Sequence, residues 1–252
     1  MGLIAAFCGK ENVSAVQLED LNKPHGLAPL VNKTANIFTD LKKTKMLASD
    51  MFKMLADGSF ITVNPKYAQQ FSYRFTGKML FGMNNKPDFS NDLSGVPRRI
   101  IWFSFNHVFD KNSPDYEPHI QAELEADSEA MATLLNMALE GYSDLIKNRG
   151  FVDTKANDAL MAEFIVENDT VLKWLHDAEI TEEYLLRMPI KDGYEGSYPE
   201  YQSFCLSIGE DYKAQKDFTS EINEKFGFES FRKELRIDGK KQRYQMFRRK
   251  KV

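Results

Sequence analysis

The sequence has 252 residues, of which 42% are hydrophobic and 28% charged, a composition typical of a globular protein with one or two domains. Its 33 Lys and Arg residues and 37 Asp and Glu residues leave a net charge of −4, which excludes general attraction to polyanions. Cys8 and Cys205 match no metal or disulfide spacing, and no segment has the pattern of a signal peptide or membrane span, so we expect a cytoplasmic protein without membrane contact.

The first elements in chain order alternate between helix and buried strand. Leu3 to Phe7 is typical of the last turns of a helix, which Gly9 would cap. Val13 to Val16 is a short strand candidate, and Lys33 to Phe38 (KTANIF) predicts a buried strand. Lys45 to Ala56 has apolar residues near helical spacing and predicts a helix.

A hairpin and two further strands follow. Phe60 to Val63 and Phe71 to Phe75 predict two strands around the turn NPKYAQQ. Met79 to Gly82 and Ile100 to Phe105 each predict a short apolar strand, and Glu117 to Lys147 is largely helical in pattern. Strands that alternate with helices indicate an α/β fold.

The last third of the chain has a different rhythm. It holds three short helical patterns and then two alternating strands around a strong hairpin signal, in the order Asp169 to Asp177, Tyr198 to Tyr212, Asp217 to Phe226 and Asp238-Gly239. Three helices and a hairpin are the outline of a winged helix, in which the third helix enters a groove and the wing meets phosphates. Thr219 and Asn223 of that third helix are then expected to influence any preference for a DNA sequence. We therefore expect two domains, residues 1–164 and a small α+β winged-helix domain over 165–252.

The charge is concentrated at one end. Residues 229–252 hold ten Lys and Arg and three Asp and Glu, a net of +7, so the remaining residues sum to −11. Lys240, Lys241 and Arg243 come just after the predicted turn, where a wing would meet the phosphates of duplex DNA. A solvated basic tail is the alternative that charge alone leaves open.

Polar residues follow the predicted strands of the first domain. Asp40 ends one strand, Asn84 follows another, and Arg98-Arg99 precede a third. Lys66 and Tyr67 lie at the hairpin tip. All of these residues except Asp40 lie in the stretch from Asp57 to Phe109, DGSFITVNPKYAQQFSYRFTGKMLFGMNNKPDFSNDLSGVPRRIIWFSFNHVF. Open α/β sheets place their chemistry at strand ends. In order and spacing this stretch resembles the core of superfamily-three AAA+ helicases, in particular the C-terminal helicase half of phage and plasmid primase–helicases.

The resemblance implies an ATP site. Asp40 matches the Walker B carboxylate, which holds Mg²⁺ and helps to orient the attacking water, although many relatives carry two acids or a Glu where this chain has Thr39-Asp40-Leu41. Asn84 matches sensor 1, whose amide donates to the γ-phosphate or the lytic water, and Asn85 is the adjacent alternative.

The resemblance also implies a ring and a grip on DNA. Arg98 and Arg99 match a double arginine that supplies a finger to the nucleotide of a neighbouring subunit, normally in a hexamer; relatives usually carry an aromatic residue just before it, where this chain has Val96-Pro97. Lys66 and Tyr67 match a hairpin that grips single-stranded DNA, with Lys on a phosphate and Tyr on a base or sugar.

The phosphate loop of this family, GxxxxGK[ST], is absent from the sequence. We therefore expect ATP and Mg²⁺ to be cofactors of a complete protein and to bind this chain alone only weakly. Three explanations for the absent loop are open: an internal start within a longer coding region, a second chain that supplies the loop, and a mobile-element remnant. The first is favoured.

Two functions remain open. The first is the C-terminal part of an ATP-driven, hexameric replicative DNA helicase, with a partial AAA+ sheet in residues 1–164 and without ATPase activity of its own. The second is a non-catalytic module of a mobile-element replication protein that binds DNA and oligomerises. A coincidental α/β fold followed by a winged helix, such as a regulator, is a distant third.

Overall fold

The protein is described here by a computed structural model, and it divides into two compact units, residues 1–162 and 163–252. The described residues are 1–41, 49–89, 93–114, 116–152, 154–192, 195–237 and 240–250, without the side chains of 235–237 and 240. The start of the helix predicted from Lys45 and the predicted turn at Asp238-Gly239 lie outside them. No described helix is long and apolar enough to cross a membrane.

A small parallel sheet forms the centre of the first unit. Within the described residues its strand order is β1, β2, β5, with β2 in the middle: β1 is Val13–Ser14, β2 is Ala35–Leu41 and β5 is Lys78–Met83. The apolar run at the start of β2 is buried because both faces of a central parallel strand are covered. Helix α1, Gly2–Cys8, comes before β1. The mixed α/β class predicted from the sequence is confirmed.

A β-hairpin lies between β2 and β5 in the sequence. It follows helix α2, Asp50–Ala56, and consists of β3, Phe60–Val63, paired antiparallel with β4, Phe71–Arg74. Both strands were predicted. Segment 23–32 contacts the hairpin at two points: His25 Nδ1 donates to the carbonyl of Asn64, at the start of the tip loop, at 2.6 Å, and the backbone N–H of Asn32 donates to the hydroxyl of Tyr73 in β4 at 2.9 Å.

The strand predicted at Ile100 to Phe105 is wrong. Among the described residues, this segment pairs with no other strand and follows a 3₁₀ turn, Pro97–Arg99. Phe103 and Phe105 are 76% and 93% exposed. Apolar alternation gives a strand only where a neighbouring strand accepts the backbone hydrogen bonds, and the described part of the chain offers none here.

Helices complete the first unit. Helix α3 is Ile120–Ala126 and α4 is Ser128–Asn148, as the helical pattern predicted; α5, Lys155–Glu167, was not predicted and crosses into the second unit. The Asp127 carboxylate caps α4 by accepting from the N–H groups of Glu129 and Ala130. Arg149 ends α4 in the left-handed conformation, at φ 56°.

The second unit packs four helices against a hairpin. The elements are α6, Thr170–Asp177; α7, Glu182–Arg187; α8, Ser197–Ser207; α9, Gln215–Phe226; β6, Phe228–Ile237; and β7, Lys240–Arg249. Between α7 and α8, Pro189 bridges to Met246 of β7 and the Ile190 N–H donates to the carbonyl of Gln245 at 2.8 Å. Trp174, Tyr201 and Phe218 are fully buried together and form its aromatic core.

A partly buried charge cluster links α6 to α9. The Lys213 ammonium lies 2.8 Å from the Asp169 carboxylate and 2.7 Å from that of Glu221. Burial, and then the neighbouring Asp169, raise the pKa of Glu221 to about 7. Burial opposes ionisation of Asp169 as well, but hydrogen bonds from Glu221 and Lys213 outweigh it and lower the pKa of Asp169. At pH values below 7, the proton shared within this cluster therefore resides on Glu221, beside an ionised Asp169.

This cluster predicts that the second unit loses stability as the pH rises through 7. A group whose pKa is raised in the folded state contributes stability that is complete below its unfolded pKa and is lost above its folded pKa. We expect the free energy of unfolding to fall by about 1–2 kcal/mol between pH 5 and pH 8. Denaturant titrations, followed by the fluorescence of Trp174 in a Trp102→Phe background, measure it.

The matched variants are Glu221→Gln and Glu210→Gln. The first removes the titrating group and should flatten the pH dependence. The second breaks an ion pair with Lys173 at 2.8 Å outside the cluster and should leave that dependence in place. A wild-type protein that gains stability between pH 5 and pH 8 would contradict the assignment to Glu221.

Candidate nucleotide and nucleic-acid sites

Asp40 occupies a strained position near the carboxyl end of β2. The pairing of β2 with β5 passes from Phe38–Phe81 to Leu41–Met83, so β2 contains one extra residue there. Asp40 takes φ 64° within this bulge and its side chain is exposed. Asp is one of the few residues besides Gly that enter the left-handed region at modest cost. Bulges that re-aim a side chain are common beside active sites.

Asn84 lies at the same edge of the sheet as Asp40. Leu41 of β2 pairs with Met83 of β5, and Asp40 and Asn84 flank that pair, one residue to each side. Because β2 and β5 run parallel, their carboxyl ends meet at one edge. Asn84 and Asn85 are both exposed beyond the end of β5. The fold thus brings together an exposed carboxylate and two exposed amides.

This edge fits only part of a nucleotide site. Magnesium in phosphate-transfer sites is usually held by one or two carboxylates together with phosphate and water oxygens, and Asp40 can supply one such ligand. Among the described residues, no group of three or more His, Cys, Asp or Glu could hold a metal ion. The sequence has no GxxxxGK[ST] loop, whose nest of backbone N–H groups cradles the phosphates in such sites. The fit of these residues to ATP and Mg²⁺ is therefore incomplete.

The two adjacent arginines differ in their surroundings. Arg99 donates from Nε to Asp57 Oδ1 at 2.7 Å and from Nη2 to Asp57 Oδ2 at 2.5 Å, and its Nη1 donates to the Gly95 carbonyl. This two-pronged contact lowers the pKa of the Asp57 carboxyl, and only 13% of the Arg99 side chain is exposed. Arg98 is exposed. Arg98 is thus available to another molecule, whereas Arg99 anchors the turn that carries it.

The hairpin tip is a seven-residue loop, 64–70, between β3 and β4. Tyr67 is 94% exposed at φ 64°, and the Lys66 ammonium lies 5.0 Å from the centre of the Tyr67 ring. A cation beside an open aromatic face can bind a phosphate and a base side by side. The pairing register of β3 and β4 places both residues at the far end of the hairpin.

The basic residues of the last hairpin lie on β6 and β7. Lys241 and Arg243 are exposed; Lys241 pairs with Glu234 at 3.2 Å, and Arg243 has no ion pair within the part of the chain that the structure describes. The side chain of Lys240 lies outside the described residues. Arg232, which the sequence reasoning missed, is also exposed and lies opposite Gln245 in the ladder. Arg232 and Glu234 are two residues apart in FRKELR, and this spacing, which places two charged side chains on one face of a strand, was the available signal.

Helix α9 presents less to a nucleic acid than its pattern predicted. Thr219, expected to influence sequence preference, is 8% exposed, and its hydroxyl donates to the carbonyl of Gln215 at 2.7 Å. Asn223 is partly buried. The exposed positions of the helix include Lys216, Asp217 and Ser220, along with Glu224 and Lys225. Their charges cancel, so the exposed side of α9 carries no net positive charge.

Comparison with known proteins supports the fold. A family model described as "Family of unknown function (DUF5906)" matches residues 2–99, the segment that holds the sheet, the first hairpin and the two arginines. No curated protein matches the chain. An apo structure of the NrS-1 C-terminal region, in its A form, has a TM-score of 0.50 at 14% identity, and the match covers 97% of this chain and 62% of that one.

A second apo structure of the NrS-1 C-terminal region matches with a TM-score of 0.41 at 13% identity, covering 97% of this chain and 63% of that one. At these identities the likeness concerns the fold alone. The chain spans about three fifths of the length of the structures that it matches.

Proposed function

We propose that this chain is a C-terminal part of a replicative DNA helicase of the superfamily-three AAA+ type, from a phage or plasmid primase–helicase that works in the cytoplasm. The observation that carries the proposal is the position of Asp40 and Asn84, which flank one residue pair at the carboxyl edge of a parallel sheet. The fold likeness to the C-terminal region of NrS-1, a phage primase–helicase, supports it.

The open edge of the sheet gives further support. Within the described residues, β5 pairs only with β2, so its other edge has no partner. The apolar segment 100–105 likewise pairs with no strand in the part of the chain that the structure describes. A phosphate loop follows a strand in nucleotide-binding folds of this kind. A strand with its loop beside β5 would place the loop at the edge that carries Asp40 and Asn84.

Each site residue then has a role in the complete protein. Asp40 is a ligand of the magnesium ion that accompanies ATP, and Asn84 donates to the γ-phosphate or to the attacking water. Arg98 reaches the nucleotide of a neighbouring subunit in a hexamer, with Arg99 as its anchor. Lys66 and Tyr67 contact single-stranded DNA. The chain alone, without a phosphate loop, hydrolyses no ATP.

We propose that the second unit is a winged-helix domain that binds duplex DNA. The proposal is supported by the order of elements, which resembles that of a winged helix: α6 and α7, a short bridging segment at Pro189, α8, α9 and the β6–β7 hairpin. In such domains the hairpin meets the phosphate backbone and the last helix faces a groove. Lys240, Lys241 and Arg243 are the proposed phosphate contacts.

Replacing Lys240, Lys241 and Arg243 together by Ala should weaken binding to duplex DNA of any sequence. Each lost phosphate contact should reduce the slope of log affinity against log salt by about one unit. Fluorescence anisotropy of a labelled duplex across a salt series measures both quantities.

The control for the wing is the double change Arg248→Ala and Arg249→Ala. These arginines are paired with Glu229 at 2.8 Å and with Glu182 at 3.0 Å, so their loss should change the salt slope less. If the triple variant kept the slope of the wild type, the second unit would be better explained as a protein-docking module.

A non-catalytic module that binds DNA and oligomerises is the second candidate. The missing GxxxxGK[ST] sequence favours it. The two candidates share the DNA-binding prediction and differ in whether Arg98 affects hydrolysis once a phosphate loop is provided.

A further inference from the structure

One part of this acidic protein contains no acidic residue at all. Residues 58–87 hold four Lys or Arg and no Asp or Glu, although the whole chain has 37 acidic residues in 252. The first hairpin lies within this stretch. A local excess of positive charge favours contact with a polyanion at this surface of the first unit.

The hairpin has one buried face and one exposed face. Ile61 and Val63 are buried, as the alternation of a half-buried strand requires. On the opposite face Phe60 pairs with Arg74 and Thr62 with Ser72, and all four side chains are exposed. Hydroxyls, a guanidinium and an aromatic ring therefore share one outer face, which leads from the base of the hairpin to its tip.

Phe60 is the unusual member of this face. Its ring is 68% exposed. Because removing an apolar ring from water is favourable, a partner that covers this ring gains binding free energy. Its strand neighbour Arg74 is oriented by a hydrogen bond from Nε to the Gly58 carbonyl at 2.6 Å. The result is a cation next to an open ring, as Lys66 and Tyr67 provide at the tip.

We propose that the outer face of the hairpin binds an extended single strand of nucleic acid, with bases stacked on Phe60 and Tyr67 and phosphates at Arg74 and Lys66. The four residues from Phe60 to the start of the tip span about 13 Å, which is the length of a few nucleotides. Unpaired bases can lie on an aromatic ring, whereas the bases of a duplex are already stacked. This proposal rests on the function proposed above and extends the DNA contact from the tip to the whole face.

The test measures the affinity of the full chain for a labelled oligothymidylate and for an abasic oligomer of the same length. Stacking requires bases, so the wild type should bind the oligothymidylate more tightly. Phe60→Ala should weaken that binding at least about fivefold and leave binding to the abasic oligomer nearly unchanged. Arg74→Gln should weaken binding to both oligomers. The basic hairpin of the second unit contributes phosphate contacts to both and cancels in the comparison.

Two control variants match the chemistry of these changes elsewhere in the chain. Phe103→Ala removes another exposed aromatic ring, and Lys155→Gln removes another exposed cation; neither should alter the difference between the two oligomers. Circular dichroism checks that each variant is folded. Phe60→Trp should retain binding, and its added fluorescence should be quenched by the oligothymidylate.

The outcomes separate this proposal from the one on which it rests. If Lys66→Ala and Tyr67→Ala weaken binding while Phe60→Ala does not, the extended face is wrong and the tip contact stands. If none of these changes weakens binding, the hairpin is no DNA-binding element and both proposals fail there. Equal affinity of the wild type for the two oligomers would exclude stacking and leave Phe60 as a contact for another protein.

Discussion

Replacing Arg98 by Ala, in a form of the protein that carries a phosphate loop, should lower the rate of ATP hydrolysis by about a thousandfold or more. An arginine finger acts on charge that develops in the transition state, and such fingers contribute about 10³–10⁵ in turnover. Affinity for the nucleotide should change little, because the finger reaches the site from another subunit. Steady-state phosphate release with Mg²⁺ and single-stranded DNA measures the rate, and a fluorescent nucleotide analogue measures the affinity.

Arg99→Ala is the matched comparison, since it removes the same charge one residue away. Arg99 holds Asp57 and Gly95, so its loss should destabilise the turn and lower the midpoint of thermal unfolding. Mixing the Arg98→Ala protein with an Asp40→Ala protein should restore part of the activity, because some interfaces then combine an intact Arg98 with an intact Asp40. If both arginine variants hydrolysed ATP at the normal rate, the finger assignment would be wrong.

The sequence predicted the strands of the first unit where their neighbours lie within the chain. KTANIF and the strand before Asn84 pair with each other in the fold, and each was recognisable from a short apolar run that a polar residue ends. Ile100 to Phe105 has the same pattern and forms no strand among the described residues. A pattern of apolar residues reports which side chains avoid water, whereas a strand also needs a backbone partner.

Two features of the candidate site could not have been predicted from the sequence. The bulge at Asp40 depends on how β2 registers against β5, and one extra residue in a ladder leaves no mark in residue type. The difference between Arg98 and Arg99 depends on Asp57, which is 42 residues from Arg99 along the chain. A sequence motif does not show burial or long-range partners, and these decide which of two adjacent arginines is available to another molecule.

In the second unit, helical periodicity found α6, α8 and α9, and the Asp-Gly signal found the hairpin. The short helix α7 was missed, since six residues are too few for a periodic pattern. The face of α9 was also misjudged, because Thr219 points toward the core although it is polar. A threonine can be buried when its hydroxyl donates to the carbonyl one turn earlier, as it does to Gln215.

Replacing Trp174 by Ala should unfold the second unit or leave it close to unfolding. Trp174 is fully buried, with its ring centre 6.0 Å from that of Tyr201 and 5.7 Å from that of Phe218. Truncating a buried tryptophan costs about 3–5 kcal/mol, which approaches the whole stability of a unit of this size. Denaturant titration followed by far-ultraviolet circular dichroism measures the loss, and duplex DNA binding should fall with it.

Tyr212→Ala is the control for this loss, because Tyr212 is a large aromatic residue of the same unit that is 44% exposed, and its removal should change the free energy of unfolding by about 0.5 kcal/mol or less. The free energy of unfolding of Tyr201→Phe should lie between those of Trp174→Ala and Tyr212→Ala. The ring remains, but the variant lacks the hydroxyl that lies 2.7 Å from the Thr170 hydroxyl and accepts from the backbone N–H of Lys213 at 2.9 Å. The Lys213 N–H then has no acceptor there, at a cost of about 1–3 kcal/mol. If Trp174→Ala unfolded at the same denaturant concentration as Tyr212→Ala, the aromatic cluster would not be the core that holds the helices against the hairpin.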